Sequence, residues 1–406
     1  MNITHRQHRS TKPSRKKLSR TKKILLWSSG SILALFLISS ATLALSPSVA
    51  ANFADSVLRP IIWSEATVQL ESFFFSVSDH AKQVSYAFGA KPSGDIFTGT
   101  STAGQPSPGE TKTIPVTKVS EMHTLDSTSI NFHPGTYPKL AGEGVWSPLE
   151  LASTNGKADA IRTFVLPDAS RAYAVTSLVQ LNTFDLRLKA VAGVQQPGGP
   201  IGLKGPGIIP SSDQKSGTVV AAFNGGFQYK DGKYGMTVSG KNYVPLQNNL
   251  GTLIGQKDGT LVIKNYLGDT RDVANASFVR QNGLLIVENG NVTASTANGG
   301  MGLWGLTVTN SMYTWRSGIG ITKNGNLIYA VGPSLNVDTL AAALKAGGAI
   351  NAMQLDINPY WVRFVTYQST GNGNYTYSSL LKDMQNGGYS YLHGYDKDFF
   401  YLTTAP

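Results

Sequence analysis

Asn336-Val337-Asp338-Thr339-Leu340-Ala341-Ala342-Ala343-Leu344-Lys345-Ala346-Gly347-Gly348 runs straight into Ala349-Ile350-Asn351-Ala352-Met353-Gln354-Leu355-Asp356. The reading of this join decides the fold class. Asn336 has a short side-chain oxygen that can accept from the free N–H groups of a first helical turn. Asp338 suits the positive end of the helix, Leu340 and Leu344 fall on one face, and the glycine pair stops the helix where a left-handed residue is needed. The spacing predicts a helix over 336–346. The apolar run behind it is too short for a second helix and predicts a buried strand ending in a carboxylate.

Outward from this join the pattern is mostly strand. Leu186, Leu188 and Ala190 alternate with Asp185, Arg187 and Lys189, as a half-buried strand requires, and Ala172 to Leu181 predicts another, joined through Asn182-Thr183. Phe278 to Val292 reads as a hairpin around Glu288-Asn289-Gly290, and Gly318 to Val331 as one around Lys323-Asn324-Gly325-Asn326. Asn-Gly favours the tight hairpin turn because both central residues need positive φ. The expected class is α+β: one sheet-rich domain over 140–406 with few helices and no internal repeat.

The N-terminal part is organised differently. Nine of the 35 Lys and Arg lie in residues 1–23, a stretch with no acid; the other 26 face 24 Asp and Glu, so the body carries little net charge and no nucleic-acid footprint. Ile24 to Leu45 holds no charged residue. A run of about 20 apolar residues spans a bilayer as a helix, and a basic flank stays cytoplasmic. This predicts a single-pass membrane anchor over 24–45 with the C-terminal domain outside. The alternative is secretion after cleavage near Ala50, where Ser48-Val49-Ala50 offers small residues. Trp63, Leu70, Val77 and Val84 recur every seven residues, with Ala66, Phe73 and Ala87 offset, predicting an amphipathic helix over 56–88. Docking on its own domain, lying at the membrane surface and self-association through 63–84 all fit that stripe. Residues 90–118, rich in Ser, Thr, Gly and Pro, predict a flexible linker. There is no cysteine, so disulfides and thiolate metal sites are excluded.

Three segments could carry chemistry. Val219 to Phe227 is an apolar strand ending in Asn224-Gly225-Gly226. Thr314-Trp315-Arg316-Ser317-Gly318 opens another strand with an Arg, whose fork can hold two oxygens of a phosphate or carboxylate. Leu355-Asp356 ends the strand of the opening stretch, before Ile357-Asn358-Pro359-Tyr360-Trp361. A turn, a surface Arg and a turn-capping Asp account for each segment taken alone.

Together, in this order and spacing, they resemble the phosphodiester glycosidase domain family, which includes a lysosomal enzyme that uncovers mannose-6-phosphate tags by removing N-acetylglucosamine. Gly142-Glu143-Gly144-Val145-Trp146 and Asp398-Phe399-Phe400-Tyr401-Leu402 also look like recurring segments of bacterial members. The resemblance covers about Leu140 to Thr404 and implies hydrolysis of a sugar-1-phosphodiester at the glycosidic carbon. Many members carry Asp-Gly-Gly-Gly-Ser-Ser after the last strand; here only the Asp matches, and Pro359 has no N–H to offer an anion.

Glycoside hydrolysis usually employs two carboxylates. Asp231, Asp258 and Glu288 sit in turns beside glycine and Asp185 on a solvent-facing strand face, which leaves Asp356 and Glu143 as the expected catalytic pair. Arg316 is the expected phosphate clamp, and Asn224, Gly225 and Gly226 the expected substrate contacts. His123, His133 and His393 show no metal-ligand spacing. No cofactor is expected, with a carboxylate-bound Ca²⁺ or Mg²⁺ left open. The expected function is a membrane-anchored extracytoplasmic hydrolase of a sugar phosphodiester in envelope glycans. The alternatives are a non-catalytic envelope module that binds glycan or scaffolds a partner on the same fold, and an assembly protein acting through the 63–84 helix.

Overall fold

The computed structural model describes residues 77–86, 88, 90, 93–98, 124–151, 159–200, 202–294, 297, 304–305 and 312–405. The expected basic tail over 1–23, the expected anchor over 24–45 and most of the expected linker over 90–118 lie outside them. Among the described residues no helix is long and apolar enough to cross a membrane.

Three antiparallel sheets build the body. The first has eight strands in the order β1 (Ser147–Pro148), β2 (Ala160–Val165), β3 (Thr176–Leu181), β14 (Leu327–Leu335), β13 (Thr314–Thr322), β15 (Ala349–Ile357), β11 (Leu285–Glu288), β12 (Asn291–Val292). The second runs β17 (Asn374–Ser379), β16 (Phe364–Gly371), β5 (Val219–Asn224), β18 (Phe399–Thr404), β4 (Leu186–Val191). The third runs β7 (Lys241–Val244), β6 (Met236–Val238), β10 (Ala276–Gln281), β8 (Leu250–Gln256), β9 (Leu261–Tyr266).

Alternation along the strands sorts the core into layers. Val179, Leu181, Tyr329 and Val331 of the first sheet meet Phe223, Phe400 and Leu402 of the second and Leu253, Ile263 and Phe278 of the third in one central core. The intervening residues Leu178, Ile328 and Ala330 face the other way and pack under Leu340, Ala343 and Leu344 of the helix Val337–Ala346. On the outer face of the second sheet, Ala222, Val365, Phe399 and Tyr401 pack with Tyr391 and Leu392 of the short helix Gly388–His393. The result is sheet-rich with few helices, consistent with the α+β class the sequence predicts.

The Val337–Ala346 helix is capped as expected, with Asn336 Oδ1 accepting from Thr339 N at 2.8 Å and Thr339 Oγ1 accepting in return from Asn336 N at 3.1 Å. The hairpin between β11 and β12 turns on Asn289 and Gly290, both at positive φ, and β13 joins β14 across residues 323–326. The expected hairpin over Phe278 to Val292 is not one unit: β10 pairs with β8 in the third sheet while β11 pairs with β15 in the first. The apolar period is blind to that break, because both strands alternate in the same way.

The folded body also begins before the expected Leu140. Phe97 bridges Leu381, Thr98 N donates to Leu380 O at 3.0 Å, and Asn326 Nδ2 donates to Thr124 O at 2.7 Å. Of the amphipathic helix expected over 56–88, residues 56–76 and Ala87 lie outside the described residues; residues 77–86 form a helix that docks on the domain through polar groups. Asp79 accepts from Ser334 Oγ and from Arg171 Nη1 (3.2 Å), while Val77 and Val84 stay exposed. A carboxylate that finds an arginine and a hydroxyl on the domain is an anchor the heptad spacing does not reveal.

Candidate active site

The three sheets meet where β5, β10 and β15 end side by side. Asp356 is the penultimate residue of β15 and is 4% exposed. The ladder between β13 and β15 slips by one residue between Gly318↔Gln354 and Arg316↔Ile357. Gln354 and Asp356, two apart on one strand, therefore go to different partners. Asp356 N donates to Gly225 O at 3.0 Å, tying the first sheet to the end of β5. Its Oδ1 accepts from Ile357 N at 3.0 Å, and its Oδ2 accepts from Lys397 Nζ. Lys397 is itself buried, with its ammonium 4.5 Å from the centre of the Trp361 ring. Burial pushes the Asp356 carboxyl up to about 6, against the pull of Lys397 and with a further push from the nearby Asp398 carboxylate.

Beside this pair lies a second. Asp398 Oδ2 accepts from Arg280 Nε at 2.8 Å and its Oδ1 from Arg280 Nη2 at 3.1 Å, both side chains being essentially inaccessible. Gly226 N also donates to Asp398 Oδ2 at 3.1 Å, and Gly225 N to Asp398 O at 3.1 Å. Asn282, following β10, donates to Gln354 O at 2.8 Å and accepts from Phe227 N at 2.9 Å, closing the junction between all three sheets.

The glycines of Asn224-Gly225-Gly226 are needed for this packing. A Cβ at Gly225 would stand 2.1 Å from Asp398 Oδ2, and one at Gly226 would stand 2.8 Å from Arg280 Nη2. Their absent side chains admit the protein's own ion pair, rather than leaving a path to a substrate. Asn358, past Asp356, takes φ +76°. It meets with an amide side chain the left-handed geometry that glycine would otherwise supply.

The other expected site residues are placed as follows. Asn224 is buried and spends all four of its hydrogen-bonding positions internally. Nδ2 donates to Gly225 O (3.1 Å) and Ser317 Oγ (2.9 Å), while Oδ1 accepts from Tyr329 OH (3.0 Å) and Arg363 N (3.1 Å). It cross-links sheets and has nothing left for a sugar hydroxyl. Arg316 is also buried, but its guanidinium does not reach Asp356. It donates to Leu335 O (3.0 Å), Trp304 O (2.8 Å), Gln354 Oε1 (2.7 Å) and Met312 O (3.1 Å). Ser317, the next residue, faces Asn224 and Asp356 O (2.8 Å), so strand alternation sends Arg316 to the opposite face. Loss of solvation lowers the Arg316 guanidinium to about 10.

Glu143 is not brought to Asp356. Its Oε1 bonds His133 Nδ1 at 2.7 Å and its Oε2 accepts from Leu140 N at 3.0 Å, in the segment that packs beside β2. That contact raises the His133 imidazole above its usual range. His393 is exposed and stacks on Tyr389, and His123 lies outside the described residues. Among the described residues no group of three or more His, Asp or Glu is placed to hold a metal ion.

Lys397 and Arg280 escape the sequence reading, which quotes Asp398 only as the head of a family segment and gives it no role, although two signals mark all three. Asp396-Lys397-Asp398 is a charged run set directly against the buried Phe399-Phe400-Tyr401-Leu402, and Arg280-Gln281-Asn282 interrupts an apolar strand. Charged residues at such positions have to be paired, because an unpaired buried charge is too costly to keep. Asp231, set aside as a turn residue, belongs to the same neighbourhood, within electrostatic reach of Lys397.

Comparison with known proteins places this geometry in context. The family model for phosphodiester glycosidase matches residues 217–356, the stretch that carries Asn224, Arg280, Arg316 and Asp356. The resemblance read from the sequence therefore has an independent basis there. Among solved structures, the catalytic domain of zebrafish N-acetylglucosamine-1-phosphodiester alpha-N-acetylglucosaminidase, auto-inhibited by its pro-peptide, aligns with 15% identity and a TM-score of 0.39 over 71% of this chain and 99% of that one. A hypothetical protein from Synechocystis aligns at 10% identity and a TM-score of 0.34, covering 62% of this chain and 63% of that one. A protein from Burkholderia pseudomallei described as exported aligns at 10% identity and a TM-score of 0.32, covering 57% of this chain and 74% of that one. No curated protein matches the sequence.

Proposed function

We propose that the domain hydrolyses a sugar-1-phosphodiester at the anomeric carbon, in glycans of the cell envelope, on the outer side of a membrane to which residues 24–45 anchor it. The observation that carries this reading is the Asp356–Lys397 pair. It joins a buried carboxyl pushed up to about 6 to a buried ammonium, beside the Gly225-Gly226 backbone; Asp356 and the two glycines lie in the stretch matched by the family model, and Lys397 lies beyond its end.

Each partner answers one demand of the reaction. As the C1–O bond breaks, positive charge develops on the sugar ring and negative charge on the departing phosphate. A carboxylate in a site with little water stabilises the first, because few solvent dipoles compete with it. Lys397 stabilises the second, in place of the clamp expected of Arg316. The Trp361 ring beneath its ammonium adds a cation–π contact and limits the positions the amine can take. Asp398 and Arg280 hold the neighbouring backbone rigid without entering the chemistry. Asn224 acts in the same supporting way.

The test is turnover. The purified full-length chain, in detergent, should release N-acetylglucosamine from an activated N-acetylglucosamine-1-phosphodiester. Binding of that compound without any release would support the scaffolding alternative instead.

A further inference from the structure

A cavity of about 720 Å³ lies beside the 77–86 helix, lined by Tyr86 of that helix, Tyr137 and Pro138 of the segment before β1, and Tyr173 ahead of β3. The Tyr86 and Tyr173 rings stand 5.2 Å apart, tilted by 39°. Tyr86 and Tyr137 are half-buried, so each keeps part of its surface within reach of a ligand. Lys139, Ser170 and Arg171 add polar groups to the lining. None of these residues contacts Asp356 or Lys397, whose partners are Ile357, Gly225 and Trp361.

The walls are fixed to one another. Tyr137 OH donates to Asp168 O, and Tyr137 O accepts from His133 Nε2 at 2.7 Å. His133 is held in turn by Glu143 Oε1 at 2.7 Å, so the carboxylate expected in catalysis props this wall instead. Asp168 Oδ1 accepts from Ser170 N at 2.8 Å and Arg171 N at 3.1 Å, which shapes the loop opposite. Arg171 Nη1 donates to Tyr173 OH at 2.7 Å and to Asp79 Oδ2 at 3.2 Å, tying that loop to the helix. A cavity of several hundred Å³, built before its ligand arrives, with aromatic walls and a few polar groups, is the usual form of a small-molecule site.

The charges on the lining select the ligand. Among the described residues the cavity is lined by two cations and no acid. Arg171 is balanced by Asp79, but the Lys139 ammonium meets only the neutral amide of Asn131, at 3.1 Å. The rings select as well. One face of a pyranose is rich in C–H bonds and buries favourably on an aromatic ring, while its hydroxyls reach polar groups at the rim. We propose that this cavity binds a sugar unit carrying a phosphate or a carboxylate, as a second glycan site apart from the Asp356–Lys397 pair. The tyrosines take the ring and Lys139 takes the anion. The proposal concerns binding alone and stands or falls separately from the hydrolytic reading.

The experiment is hydrogen exchange, read by mass spectrometry on the full-length chain in detergent, with glucose 1-phosphate and glucuronate as probes and glucose and inorganic phosphate as their separate halves. At least one anionic sugar should slow exchange in peptides covering 137–140 and 170–173, at a half-saturating concentration well below that of either half. Which of the two does so distinguishes a phosphate from a carboxylate ligand. Lys139→Ala, an exposed change that leaves the walls intact, should raise that concentration by about threefold or more, and Lys139→Arg should leave it close to wild type. The protection should persist in Asp356→Asn. Absence of protection by both anionic sugars, protection by inorganic phosphate alone equal to that by glucose 1-phosphate and glucuronate, an unchanged Lys139→Ala, or loss of protection in Asp356→Asn would each overturn the proposal.

Discussion

Arg280 and Asp398, 118 residues apart, form a two-point ion pair with Nε–Oδ2 2.8 Å and Nη2–Oδ1 3.1 Å at the point where three sheets converge. Neither has solvent to fall back on, and Gly226 N completes the carboxylate's shell at 3.1 Å. Removing one partner leaves the other charge buried and uncompensated. Asp398→Ala should therefore cost about 3–5 kcal/mol of stability, read from the midpoint of urea unfolding. A cost below about 1 kcal/mol would show that the junction does not depend on this pair.

Asn224 should behave as a cross-link and not as a substrate contact. Asn224→Ala leaves Tyr329 OH, Ser317 Oγ and Arg363 N short of a partner. It should cost about 2–3 kcal/mol while KM of the folded variant stays close to wild type. A rise in KM of tenfold or more at unchanged stability would return Asn224 to the role its position beside Gly225-Gly226 suggests.

Asp356 sets an acid limb. Its carboxyl is held at about 6, mainly by burial, so kcat/KM should fall as pH drops through that value. The stability sign is fixed by the same shift. A carboxyl whose pKa is higher in the folded than in the unfolded protein favours folding fully only below its unfolded value near 4, and loses that contribution as pH rises through about 6. Asp356→Asn lacks this change, so its melting temperature relative to wild type should climb between pH 4 and 6. A constant difference across that window would mean that the carboxyl is not raised.

The 77–86 helix should be released by breaking its polar anchor. Asp79→Ala removes the contacts to Ser334 and Arg171, worth about 1–3 kcal/mol for a charged hydrogen-bonded group. Limited proteolysis should then cut within 77–98 several times faster while residues 124–405 stay intact. Equal cutting rates would show that other contacts hold the helix.

Much of the fold was legible because its signals are local. The Asn336 cap, the glycine pair after Ala346 and the Asn289-Gly290 turn each act within a few residues, and the helix and hairpin stand where those residues require them. Arg316 illustrates the next level. Its neighbour Ser317 shares a strand with it, and alternation alone sends the two side chains to opposite faces, so the expected pairing with Asp356 competed with the sheet's own period. The charged junction was less legible. Arg280 and Asp356 sit near the ends of strands from two different sheets and Lys397-Asp398 lie just before a strand of the third, and no spacing in one sequence tells which strand ends will meet. What the chain does show is their anomaly, charges embedded in apolar runs, and that anomaly marks both ion pairs.

The most direct test of the account is the kcat/KM of Asp356→Asn on an activated N-acetylglucosamine-1-phosphodiester at neutral pH, measured on protein whose circular dichroism matches wild type. The substitution keeps shape and removes the negative charge that faces the developing cation. The account predicts a loss of about 10²-fold or more. Turnover within about threefold of wild type would contradict it, since the buried carboxyl beside Lys397 would then play no part in the reaction.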